Sequence, residues 1–117
     1  MPHIIFEYSS NIIEKNNLES LFPEIHQLLE QEISAKISEC KTRAIEHKSF
    51  LVGDANNKEN AFIHLTIKIM PGRSDELKNN LAKEISKKLT SFFIKSKQKL
   101  EVKFSIEISE LENYHKF

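Results

Sequence analysis

The chain has 117 residues, with 17 basic and 17 acidic side chains and a formal net charge of zero. That length suits one domain, residues 1–117, with a modest core, and the charge balance argues against a broad nucleic-acid footprint, which needs a net basic surface. No run approaches the roughly 20 apolar residues of a membrane span. The start also lacks the basic-then-apolar pattern of a signal peptide, so a cytoplasmic location is expected.

Met1 is followed by Pro2 and then by the apolar run Ile4-Ile5-Phe6, within a strand expected over His3 to Tyr8. Inside a chain a proline nitrogen is a tertiary amide without basicity. Freed by removal of Met1, it becomes a secondary amine that titrates like an α-amino group, near pH 8 or somewhat below. Burial or nearby cations disfavour its protonated form and lower that value, which would make Pro2 a general base near neutral pH. Small second residues also permit methionine removal for no catalytic reason, so this start alone does not decide.

From Leu18 the apolar residues Leu21, Phe22, Ile25, Leu28, Leu29 and Ile33 recur at steps of three and four, one face of a helix. Ser20 is a candidate cap, and Pro23 falls in the first turn, where its missing N–H does least harm. A second strand is expected over roughly Ile37 to His47. Within it Lys41 and Arg43 are two apart and share a face, with Glu39 and Ile45 as neighbours. A surface ion pair between Glu39 and Lys41 weighs evenly against a functional pair of cations. Cys40, the only cysteine, cannot form an internal disulfide and reads as packing. The polar stretch Gly53 to Asn60 reads as a loop or hairpin tip.

A third strand over Ala61 to Ile69 alternates Ile63, Leu65, Ile67 and Ile69 with Phe62, His64, Thr66 and Lys68. It ends in Met70-Pro71-Gly72-Arg73-Ser74, where Gly72 allows a sharp turn and Ser74 caps the next helix, with Asp75 and Glu76 suited to its positive end. An arginine at position 73 can present its planar fork to a carboxylate; the plainer reading is a solvated loop residue. Leu77, Leu81, Ile85, Leu89 and Phe92 form the stripe of that helix, and Lys95 to Lys99 read as its solvated end and a loop. The last strand, Leu100 to Ile108, alternates Val102, Phe104, Ile106 and Ile108 with Lys103, Ser105 and Glu107.

The order is therefore a βαβ unit occurring twice, repeat 1 over about 1–50 and repeat 2 over about 61–110. Right-handed crossovers make each strand pair parallel and put two helices on one face of a four-stranded sheet, an α+β architecture. Pattern alone leaves other α+β sandwiches open. The five histidines have neither metal-site nor nucleophile–base spacing; His26 reads as exposed on the first helix and His64 as structural, while Glu7 is a carboxylate of the same low standing. No Cys/His cluster suggests a metal.

Met1 to Glu7, Ala61 to Ile69, Gly72-Arg73-Ser74 and Phe104 to Ile108 together resemble the tautomerase superfamily, and within it the 5-carboxymethyl-2-hydroxymuconate isomerases, whose subunit is a fused double βαβ of about this length. The resemblance covers nearly the whole chain and is diffuse over residues 11–60. It implies a tautomerase/MIF-like fold, a homotrimer with sheets inward and helices outside, and a proton shift in an unsaturated 2-hydroxy or 2-oxo polycarboxylate without cofactor. Pro2 would be the base, Arg73 a catalytic cation, and Lys41 and Arg43 carboxylate ligands; Lys41 stands where the family has an arginine, keeping the charge but losing the bidentate fork. With Arg73 as landmark, Ile63 falls near where the second copy would hold a proline and Ile12 near where the first would hold an arginine, so each half keeps a different part of one site. A phenylpyruvate-type tautomerase or a non-catalytic trimeric binding module are the other readings of such a chain. A trimer also answers a physical need, since a layer with helices on one face has another, partly apolar face to cover.

Overall fold

The computed structural model describes residues 1–54 and 58–117; positions 55–57 of the expected loop lie outside the described residues. Strand β1 (His3–Ser9) leads through a 3-10 helix (Ile13–Leu21) into helix α1 (Phe22–Ile33) and, after a second 3-10 turn (Ile37–Glu39), into strand β2 (Lys41–His47). Strand β3 (Asn60–Ile69), helix α2 (Asp75–Phe92), a short helix α3 (Ile94–Lys99) and strand β4 (Glu101–Glu110) complete the order. The sheet runs β2-β1-β3-β4, with β1/β2 and β3/β4 parallel and β1/β3 antiparallel. Each βαβ unit thus has its own parallel pair, and the two units meet back to back at the centre.

The alternation in the strands sorts the faces. Ile4 and Phe6 of β1 and Ile63, Leu65, Ile67 and Ile69 of β3 are buried, and they pack with Ile25 and Leu29 of α1 and Leu81, Ile85 and Leu89 of α2. Phe6 stacks on Phe22 with ring centroids 5.5 Å apart. Phe6→Ala is expected to cost about 3–5 kcal/mol, the usual range for deleting a buried aromatic, read from urea unfolding; a loss below about 1 kcal/mol would mean that the central strand is not where the core is anchored. The opposite sheet face is mostly polar. The registers bring His3, Ile5 and Glu7 of β1 beside Lys41, Arg43 and Ile45 of β2, and beside Lys68, Thr66 and His64 of β3. Its apolar share is small: Ile5, Ile45 and Phe62, of which Ile45 is about half exposed.

Four local expectations change. Ser20 does not cap α1: its hydroxyl donates to Asn17 O within the 3-10 helix, and α1 begins at Phe22 behind Leu21, with Pro23 in its first turn. The second strand starts at Lys41, because residues 37–39 turn tightly instead of extending. Lys95 to Lys99 belong to a helix, held at its start by the buried Glu14, whose carboxylate accepts the Lys95 and Ser96 amides at 2.9 and 3.2 Å. His26 is half-buried rather than exposed; it pairs with Thr42 Oγ1 at 2.6 Å, and burial lowers its pKa. Ile12 and Ile63, the positions paired with Arg73 and Pro2 by the repeat, are both core residues.

Candidate active site

Pro2 is buried at the head of β1, and its carbonyl accepts the Lys41 amide at 3.0 Å, which ties the chain start to the first residue of β2. Arg73 arrives from the far end of β3. Gly72, at φ 119°, makes the turn that only glycine adopts without strain, and Ser74 then caps α2 by accepting the Leu77 amide at 3.2 Å. The Arg73 Nε donates to Ile33 O at 3.0 Å, closing an orphan carbonyl at the end of α1, and Nη1 reaches Met70 O at 3.4 Å. Helix α1 ends there because Ser34 takes a left-handed conformation, φ 57°. Residues from four separate segments therefore meet at one cavity of about 290 Å³, whose wall includes Pro2, Ser34, Lys36, Glu39, Arg73 and Lys116.

Pro2 and Arg73 thus share a site. Lys41 is not among the residues that line it: its ammonium donates to Glu39 O at 3.3 Å, not to the Glu39 carboxylate, so of the two readings weighed for this pair the surface ion pair is not the one seen. Arg43 lies on the polar sheet face, outside this cavity, where its Nη1 meets His3 Nδ1 at 2.9 Å. The other histidine nitrogen bonds Tyr114 Oη at 2.9 Å, and burial, then the Arg43 charge, lower the His3 pKa. Cys40 packs half-buried beside this region, and burial raises its thiol pKa. Among the described residues no group of three potential metal ligands clusters, and no helix is long and apolar enough to cross a membrane.

Two cations of the wall, Lys36 and Lys116, carry no sequence signal, and Glu39, which the sequence offers only as a neighbour of Lys41, lines the cavity with them. The Glu39 carboxylate receives Lys116 Nζ at 2.8 and 2.7 Å, and that bond and charge hold its pKa below the usual carboxylate range. With Met1 in place the Pro2 nitrogen is an amide, and the chain's amine is that of Met1, which donates to Glu39 O at 2.7 Å. Burial first, and then the charge of Lys41, lower the pKa of this amine, while Glu39 opposes them. The wall combines an amine position of reduced basicity with lysines and an arginine, which suits an anionic substrate that exchanges a proton.

The fold is found in other proteins. A 5-carboxymethyl-2-hydroxymuconate isomerase from Deinococcus radiodurans R1 superposes with a TM-score of 0.89 at 25% identity, over 99% of this chain and 88% of that one. A 5-carboxymethyl-2-hydroxymuconate delta-isomerase gives 0.84 at 14% identity, over 100% and 87% of the two chains. The Q0 fused 4-OT wild-type symmetric trimer gives 0.66 at 13% identity, over 93% and 85%. These likenesses define the tautomerase class of α+β folds. Residues 2–117 match the family profile of 5-carboxymethyl-2-hydroxymuconate isomerase, and the chain belongs to that family. It is an isomerase acting on a small molecule. No curated protein matches it.

Proposed function

We propose that the protein transposes a proton within an unsaturated 2-hydroxy or 2-oxo polycarboxylate, 5-carboxymethyl-2-hydroxymuconate by the name of its family, with Pro2 as general base once Met1 is removed. The observation that carries this reading is that Pro2 and Arg73, distant in sequence, line one cavity. The freed amine takes the proton from the enol hydroxyl, or from the carbon beside the carbonyl, and returns it further along the conjugated system. Arg73, fixed by its bond to Ile33 O, stabilises charge on the dienolate oxygen. Lys41 adds to burial in lowering the basicity of the amine at this end of the chain, and meets a carboxylate. Arg43 meets one across a subunit boundary, in a homotrimer whose contact is the sheet face carrying it; support for that assembly is the symmetric trimer among the structural relatives and the exposed Ile45 on this face.

Several cations around one site suit a tricarboxylate better than a monocarboxylate enol such as phenylpyruvate. Lys41→Ala and Arg43→Ala are therefore expected to lower turnover of the tricarboxylate much more than that of the monocarboxylate, with the gap narrowing at high salt. Parallel ketonisation assays on both substrates check this. Equal losses would assign the two residues to the fold or the trimer, and a wild type without preference would favour the phenylpyruvate-type reading.

A further inference from the structure

The segment after β4 is built into the cavity. Leu111 N donates to Ile69 O at 2.8 Å, Asn113 turns the chain with φ 47°, and Tyr114 is held by His3 at 2.9 Å. These anchors bring Lys116 back to the wall that holds Pro2 and Arg73, where both Glu39 oxygens accept its ammonium. Lys116 is half exposed and Glu39 about one-third exposed, so solvent weakens this ion pair. A lysine is a point charge on a flexible stem that re-aims without a fixed fork. A carboxylate already sits where an anionic substrate would enter, and its like charge opposes that entry.

We propose that Lys116 is a specificity-determining residue that binds a substrate carboxylate, and that Glu39 holds it ready as an internal competitor which the substrate displaces. This rests on the polycarboxylate reading above. It also gives His3 and Tyr114 a role: they fix the segment that carries the lysine.

The test uses the full chain with three forms, wild type, Lys116→Gln and Glu39→Gln, and two readouts. One is KM for the tricarboxylate enol; the other is calorimetric binding of propane-1,2,3-tricarboxylate, which does not react. Lys116→Gln is expected to weaken binding about tenfold and to raise KM by more than any fall in kcat, since charged hydrogen bonds carry effects of that size. Glu39→Gln is expected to tighten binding and lower KM, because it removes the competitor and frees the lysine. A clasp that merely pins the segment is broken by either variant, so shifts in the same direction would overturn the proposal. So would two unchanged affinities, or a wild type that does not bind the probe. Opposite shifts in probe binding by a wild type that isomerises no polycarboxylate enol would uphold the role of Lys116 and sink the substrate reading instead. An active wild type whose KM ignores both variants would do the reverse.

Discussion

Replacing Arg73 by alanine is expected to lower kcat/KM for the polycarboxylate about tenfold or more, since a charged hydrogen bond to the reacting group contributes about 1.5–3 kcal/mol. The same side chain closes the Ile33 carbonyl at the end of α1, so the variant is also expected to lose about 1 kcal/mol of stability. The two effects separate by measurement: steady-state kinetics reads the first and urea unfolding the second. Arg73→Lys keeps the charge but not the fork, and is expected to recover part of kcat and little of the carboxylate affinity. An unchanged kcat/KM in a destabilised Arg73→Ala protein would leave Arg73 as a helix-end residue alone.

Pro2→Ala is expected to reduce kcat/KM without abolishing it, because the freed alanine still ends in an amine, now primary. In the wild type kcat/KM is expected to rise with pH as the amine loses its proton, since only the unprotonated form accepts one. Burial and the charge of Lys41 lower the pKa of the Met1 amine at this end of the chain; if the freed Pro2 amine meets the same influences, the rise falls at a lower pH than an ordinary α-amino group would give. Lys41→Ala removes one lowering influence, so the rise is expected to move to higher pH. A pH–rate profile of each protein checks this; a profile indifferent to both Pro2 and Lys41 would mean that another group carries the proton.

What the sequence makes legible is whatever repeats at a short period. Alternation in β3 and the stripe Leu81, Ile85, Leu89 place the core, and Ser74 marks the start of α2 to the residue. The Met-Pro start and the Gly72-Arg73-Ser74 turn point to two residues that the fold brings to one cavity. The failures come from tertiary partners. Leu18 and Leu21 keep helical spacing, yet their segment is wound as a 3-10 helix packed under the core, so Ser20 caps nothing. Nothing near Glu14 in the sequence marks it as buried, because its partners, Lys95 and Ser96, are some eighty positions away. Lys116 and Glu39 are 77 positions apart, and neither has a local pattern that marks it for a site. Arg43 shares a strand face with Lys41 as alternation requires, but that face is the polar sheet surface, not the cavity wall.

Whether the Pro2 nitrogen is the working base is decided by comparing two preparations of the same chain. In one, intact mass shows that Met1 has been removed; in the other, an N-terminal extension keeps the Pro2 nitrogen an amide. Turnover of 5-carboxymethyl-2-hydroxymuconate is predicted in the first and none above background in the second. Full activity in the extended protein would contradict the mechanism.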